Sequence, residues 1–369
     1  MNFLIRKILK KTWNEKDILD MVGSYQEVFT GYALENRIRF GGASGGLTTA
    51  ILTYAFDCGL IDGVLVCRTI VTDENCVRAQ FYIAKNREDL FDSQGSHYVR
   101  SKFVPEALNL IEEFKGKLAV VGLPCDLAVL SRKMHKNSRW LRKIEFTIGL
   151  FCGHNSTEHL IDNVVKKLKP RRVSRLERFR FRTGLWRGYS LARFKSDKIV
   201  EKKFSYFSLY QNLYFFCQKK CLYCHDHFAY NADISVGDIW SFHLKTHKIK
   251  YNSIISRSDR GSEILSACKA SGYIQLEGVQ IEDVLDGQSR GAPTHNNTSA
   301  KSKAAVRFGM KIPDKHKQKV KLHQLIAAWI ILFNYKWSCN ENYAGYIFKM
   351  PRKLLQLYLL VLKGLESVK

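Results

Sequence analysis

Through the first 150 residues the apolar positions recur alternately at helical spacing and in unbroken runs. In "RFGGASGGLTTAILTYAFDCGLIDGVLVCRTI" a glycine-rich turn, Ser44-Gly45-Gly46, leads into Leu47, Ile51 and Tyr54–Ala55, spaced as on one helix face. "DGVLVCRTI" follows, apolar on both faces, as in a buried strand. "KLAVVGLP" (117–124) and "KIEFTIGLFC" (143–152) predict two more buried strands, and "EALNLIEEF" and "CDLAVLSRKMH" predict helices between them. Such alternation predicts an α/β region. Pro124-Cys125 and Phe151-Cys152 each stand at the end of a predicted strand, where α/β proteins gather site residues.

The pattern then changes. In "RLERFRFRTGLWRGYSLARF" Arg178, Arg180 and Arg182 alternate with Phe179 and Phe181, giving a strand one basic and one aromatic face. "ADISVGDIW" predicts a strand and turn, and "NSIISRSDRGSEILSACKASGYIQL" a strand, turn, helix and strand. "DGQSRGAPTHNNTSAKSK" (286–303) is polar and rich in Gly, Ser and Asn, which predicts a linker. Beyond it "KLHQLIAAWIILF" and "MPRKLLQLYLLVLKGL" predict basic helices. The expected fold class is α/β, in its mixed α+β form. Its parts are a basic leader (1–30), an α/β region (31–150), a cysteine-rich α+β region (151–290), and a linker with a basic helical tail (291–369).

With 369 residues, 46% of them hydrophobic, the chain has material for a large core, which excludes global disorder. Ten cysteines with one close cluster favour a reducing compartment and a metal site over disulfides. The longest apolar run in "MNFLIRKILKKTW" is three residues, too short for an export signal. "LIAAWIILF" has nine residues, where roughly 20 are needed to span a bilayer. The expected location is therefore cytoplasmic. The net charge of +25 is regional: residues 164–203 carry 15 Lys/Arg against 3 Asp/Glu, and residues 301–369 carry 14 against 3. An anionic partner follows, whether lipid headgroups, nucleic acid, an acidic redox protein or a phosphorylated cofactor; a cationic solvated surface is the plainer alternative.

"CQKKCLYCHDHFAYNADISVGDIW" (217–240) has four readings. Its Cys-x3-Cys-x2-Cys opening fits a radical-SAM cluster loop, although too little chain follows to build that barrel. "CLYCH" fits c-type haem attachment, which requires export. Cys221 and Cys224 with His225 or His227 form a cramped zinc set. The same two cysteines also fit half of an iron–sulfur site completed by Cys125 and Cys152, since soft thiolates suit iron and a cubane takes four. Singly, Cys125 or Cys152 would serve as a small buried hydrophobe.

Six pieces, in order, are "ASGGLTTAIL", "GSHYVRSKF", "VVGLPCDLAVL", "IGLFCGHNS", "FRFRTGLWRGY" and "CLYCHDHFAYNADISVGDIW". With them the chain resembles the coenzyme F420 hydrogenase/dehydrogenase beta-subunit family, iron–sulfur flavoproteins that include 7-hydroxymethyl chlorophyll a reductase. The resemblance spans residues 40–285 and stops short of the tail. It implies an oxidoreductase that passes electrons between a hydride carrier (the deazaflavin or a similar one), FAD and a [4Fe–4S] cluster. Carried over position by position, it assigns Cys125, Cys152, Cys221 and Cys224 to the cluster, with Cys217 as an additional thiol able to replace one of them. It places Ser44, Gly45, Gly46 and Thr48 against FAD, with Gly95, Ser96, Tyr98 and Ser101 helping to enclose it. This makes 31–150 the flavin-binding part and 151–290 the iron–sulfur part.

Three departures qualify this. No cysteine precedes Cys58, so further clusters would belong to a ferredoxin-like or other redox partner. His97 stands where the family has lysine, and "GLPCDL" replaces Thr-Pro-Cys-Gln. His97 and His154 are candidate acid–base groups, or structural histidines. Asp233 and Asp238 fit turn or cap roles equally. Arg178, Arg180 and Arg182 would receive an anionic cofactor or face solvent. The rival expectation is a non-catalytic anion- or nucleic-acid-binding protein on the same fold, against which no standard nucleic-acid motif is present. The basic tail also suits the inner, anionic face of a membrane.

Overall fold

A computed structural model describes residues 13–169, 175–185, 188–195, 198–240 and 250–368. The first twelve residues of the basic leader lie outside the described residues, as do Arg171, Arg172 and Arg187 of the basic stretch.

The strands are β1 (Glu27–Ala33), β2 (Gly63–Val71), β3 (Val77–Ala84), β4 (Leu118–Gly122), β5 (Ile144–Leu150), β6 (Leu176–Thr183), β7 (Tyr189–Phe194), β8 (Lys198–Lys203), β9 (Ile234–Asp238), β10 (Asn252–Ser256) and β11 (Ile274–Gly278). Eight form one mixed sheet in the order β11-β1-β10-β9-β5-β4-β2-β3, and β6-β7-β8 form a second, antiparallel sheet. The centre, β2-β4-β5-β9, is parallel. Its strands are apolar on both faces because both are covered: every residue of β4 is buried. Val64, Val66, Ala119, Val121 and Phe146 meet Leu47, Ile51 and Ala55 of the helix Leu47–Asp57 on one side. Leu65, Leu118 and Val120 meet Leu127 and Leu130 of the helix Pro124–Lys136 on the other.

The mixed α/β class expected from the periodicity is the class observed, and its large sheet draws strands from both sides of residue 150. β1 and β3 escape a pattern search, because "EVFTGYA" and "VRAQFYIA" interrupt their apolar positions with polar ones. The segment 286–303, read as a linker, is instead largely helical and continues into the helix Thr298–Val306. Small residues let helices approach closely here: Ala300 of this segment, with Ala304 and Ala305 just after it, enters the same apolar cluster as Ile331, Leu332, Leu355 and Leu359 of the tail. The aromatic face of β6 joins that cluster through Phe179 and Phe181, so the tail is part of the core. Among the described residues no helix is long and apolar enough to cross a membrane.

Gly149 in β5 lies under the 229–232 turn, where a Cβ would overlap the Cβ atoms of Ala229 and Ala232. Neither neighbour has a side chain that can swing away. Gly149→Ala is expected to destabilise the fold by about 1–3 kcal/mol through overpacking, read as a lowered urea midpoint with unchanged m-value.

Candidate functional site

The carboxyl ends of β4, β5 and β9 share one edge of the sheet, because these strands pair in parallel. β4 ends into Pro124, which starts the next helix and places Cys125 in its first turn. β5 ends at Leu150, two residues before Cys152. Cys221 lies within the short helix Lys219–Tyr223 and Cys224 caps its end. All four cysteines line one recess, together with Leu123, Pro124, His154, Asn155, Lys220, Asp226 and His295.

Backbone bonds hold the segments in register. Cys152 N–H donates to His227 O at 3.0 Å, and Asn155 N–H donates to Cys221 Sγ at 3.4 Å. The Asp226 carboxylate accepts from the N–H groups of Phe228, Ala229 and Tyr230 at 3.0, 2.7 and 2.9 Å, which fixes the turn after Cys224. Burial pushes the Cys125 and Cys152 thiols strongly upward and that of Cys224 up to about 11. Cys221 moves down, chiefly through a hydrogen bond with Cys217. Cys217 itself is buried behind Cys221 and does not line the recess. Three thiols from the 217–224 loop therefore do not share the recess, as a radical-SAM loop would require. Among the described residues no three His, Cys, Asp or Glu side chains converge closely enough for a single metal ion. A tetrahedral zinc site needs its donors about 2.0–2.3 Å from one point, whereas a cubane is held at its separate corners.

The glycine-rich turn lies along the same edge. Gly46 has φ +81° and precedes the helix Leu47–Asp57. A Cβ on Gly45 would strike the Gly31 carbonyl and Asn252. Three cations reach this turn from elsewhere in the chain. Arg180 donates to Gly41 O (2.6 Å) and Gln94 O; Arg182 donates to Ala43 O (3.1 Å); Lys250 donates to Phe40 O (3.3 Å) and Gly42 O. Among the described residues neither Arg180 nor Lys250 has a carboxylate partner. Burial, with Arg182 and Arg180 nearby, pulls Lys250 down to about 8. Arg182 is buried and paired with Asp238, which also accepts from Ser44 Oγ. Burial opposes the guanidinium charge, but Asp238 and Tyr98 together outweigh it and raise the pKa. Its Nε is nevertheless buried without a partner.

The residues expected around a flavin are thus partly gathered. Ser44, Gly45 and Gly46 form the turn, with Thr48 half-buried in the helix that follows. Gly95 abuts Arg180, and Tyr98 Oη lies 3.3 Å from Arg182. Ser96 is half-buried and Ser101 buried; neither bonds to the turn among the described residues. Arg178 is exposed, unlike its two neighbours in the alternation. Both His97 nitrogens are engaged, Nδ1 with Thr69 Oγ1 (2.6 Å) and Nε2 with Ser93 O (3.0 Å), so it is a structural histidine. His154 lines the recess, stacks on Tyr214 and donates to Gln211 O; burial lowers its pKa to about 4. Asp233 ties β5 to β9 through Thr147 and Ser258, a structural role, whereas Asp238 belongs to the site.

Sequence reasoning missed Lys250, Asn252, Gln288 and Lys301. Gln288 joins the two halves: its Nε2 donates to Asp238 O at 2.8 Å and its Oε1 lies 3.3 Å from His227 Nε2. His227 O in turn holds Cys152 N–H. An isolated Gln in a polar stretch carries no sequence signal; Lys301 carried a weak one, sharing helical spacing with Ala304 and Ala305.

A mixed sheet with a cysteine recess and a cationic glycine turn on one edge defines the class of protein. Residues 28–109 match the family model "Coenzyme F420 hydrogenase/dehydrogenase, beta subunit N-term", and residues 115–282 match the model for the C-terminal part of the same family. The chain belongs to the coenzyme F420 hydrogenase/dehydrogenase beta-subunit family. It is 29% identical over 260 residues to the coenzyme F420-dependent sulfite reductase of Methanocaldococcus jannaschii, covering 66% of this chain and only 36% of that protein. It is 25% identical over 268 residues to the coenzyme F420 hydrogenase subunit beta of Methanococcus voltae, covering 72% and 88%. A chain in the structure of the F420-reducing [NiFe] hydrogenase complex from Methanosarcina barkeri superposes with TM-score 0.57 at 20% identity, over 80% of this chain and 98% of that one. At that identity the likeness establishes the fold.

Asp238→Asn would leave the Arg182 guanidinium buried without its anion. The expected cost is about 3 kcal/mol. Adding Arg182→Gln should recover part of it, a non-additivity readable in a double-mutant cycle by chemical denaturation.

Proposed function

We propose that this chain is an iron–sulfur flavoprotein oxidoreductase, with Cys125, Cys152, Cys221 and Cys224 holding a [4Fe–4S] cluster and the glycine turn holding FAD. The observation that carries this reading is the arrival of four cysteines from three separate segments in one recess. Four thiols are the number a cubane takes, one at each iron. The electron carriers of the sulfite reductase and hydrogenase relatives suggest the deazaflavin, or a similar hydride carrier, as the exchange partner.

Bound at the turn, FAD would convert two-electron hydride transfer into single-electron transfer through the cluster. The chain's own residues bind and orient. Arg180, Arg182 and Lys250 would neutralise the diphosphate, with the partnerless Arg182 Nε and the two unpaired cations as the donors it requires. Gly45 keeps the turn close to β1 and Asn252, and no larger residue fits there. Asp226 and Asn155 hold the cysteine segments in place before metal arrives. β5 and β9 are parallel neighbours, so Asp238 at the end of β9 and Cys152 just beyond β5 put the turn and the recess on the same edge of the sheet. An electron-transferring partner protein completes the pathway. The inward direction of Arg180 and Arg182 supports this reading over nucleic-acid binding, which would want the whole basic face outward.

Protein purified without oxygen is expected to contain about four iron and four sulfide per chain, with one releasable flavin. Cys221→Ser should lose iron and sulfide while keeping the flavin. Zinc with neither sulfide nor flavin would sink the reading.

The helix Arg352–Ser367 supports a second element, attachment to an anionic membrane surface. It buries Leu355, Leu359 and Leu362, yet Leu354, Leu357, Leu360 and Val361 stay exposed beside Arg352 and Lys353. Its one carboxylate, Glu366, is buried and paired with Arg290. An apolar stripe with a cationic rim suits lying in the headgroup layer. The full chain should float with phosphatidylglycerol vesicles and not with phosphatidylcholine ones. Leu357→Gln with Leu360→Gln should abolish flotation; no flotation of the wild type with either vesicle removes the idea.

A further inference from the structure

Lys301 stands on the helix Thr298–Val306, beyond residues 28–282 that the family models match. It is 4% exposed. Among the described residues its ammonium donates to two carbonyls, Cys224 O at 2.8 Å and His295 O at 2.7 Å. No carboxylate among the described residues pairs with it: of the two recess carboxylates, Asp126 faces Lys220 and Asp226 accepts from three backbone N–H groups. Burial pulls the Lys301 ammonium down to about 8, and the nearby thiols of Cys224, Cys217 and Cys221 oppose that shift. A buried ammonium held by carbonyl dipoles alone is costly to maintain, and native proteins match such a charge with an anion. Both carbonyls belong to residues that line the recess, and the Nε2 of one of them, His295, is buried without a partner.

We propose that Lys301 is the fixed counter-charge of the cysteine recess, set to offset the negative charge that four thiolates bring with an iron–sulfur cluster. This rests on the iron–sulfur reading above and adds to it a residue from the tail. The ammonium also clamps the carbonyl following the Cys224 side chain to that of His295, so one residue both shapes the recess wall and sets its potential. Two consequences follow from the charge itself. The cluster is retained more firmly, because surrounding polar groups contribute to metal affinity. Its reduced form, more negative by one electron, is favoured relative to the oxidised form, which raises the midpoint potential.

The test uses the full chain with its cluster, in the variants Lys301→Gln, which keeps two hydrogen-bond donors without the charge, and Lys301→Arg, which keeps the charge. Iron and sulfide content, iron release to a chelator, dye-mediated titration with dithionite, and thermal unfolding are measured for each. Lys301→Gln is expected to shift the midpoint potential to more negative values and to release iron about tenfold faster, while Lys301→Arg stays near wild type in both. A Gln variant with wild-type potential and release rate overturns the proposal, and so does one whose Tm falls with the potential unmoved, since that is a structural role only. Wild-type protein holding neither iron nor sulfide overturns the iron–sulfur reading itself, and this inference with it. A loaded wild type with an indifferent Gln variant removes the inference alone.

Discussion

Parallel pairing of β4, β5 and β9 is the constraint from which the site follows. Parallel neighbours lie about 4.8 Å apart, and Gly122 is in register with Gly149, so the chain leaves both strands at one edge. Cys125 and Cys152 are therefore neighbours although 27 positions separate them in sequence. The same edge receives the 217–232 segment, because Gly149 leaves room for Ala229 and Ala232 to sit directly on β5. That contact, with the Asp226 turn, brings Cys221 and Cys224 down onto the recess. Altering any one of these backbone packings would move a thiol.

Charge organises the remainder. The second sheet turns its aromatic face toward the tail helices and sends Arg180 and Arg182 across to the glycine turn, so the Arg/Phe alternation becomes a joint between the two sheets. Arg182 alone touches the turn, Tyr98 and Asp238. Gln288 continues from Asp238 to His227, whose carbonyl fixes Cys152. The glycine turn and the cysteine recess are thereby held by one hydrogen-bonded chain, with cations on both sides of it.

The strands read most clearly from sequence are those buried on both faces: "KLAVVGLP" and "KIEFTIGLFC" have no competing reading, and both lie where expected. β1, inserted between β10 and β11, depends on neighbours far along the chain and leaves a weak local pattern. The stretch 286–303 misleads for a related reason. Gly, Ser and Asn signal a loop when read locally, yet alanines at helical spacing and a tight helix–helix approach make it part of the core. Among the basic residues composition could not separate Arg178 from Arg182, because direction on a twisted, bulged strand is set by what packs above it.

Residue chemistry and spacing by themselves determined the α/β alternation, the glycine turn, the cysteines as candidate cluster ligands and the regional positive charge, since each is a local property of the chain. Only tertiary structure decided that Cys217 stays behind the recess, that His97 is fully engaged, that Asp238 joins Ser44 to Arg182, and that Lys301 is buried beside Cys224 without a carboxylate. The physical reason is that burial and pairing depend on distances between segments as much as 194 residues apart, and those distances are fixed by sheet order and helix packing.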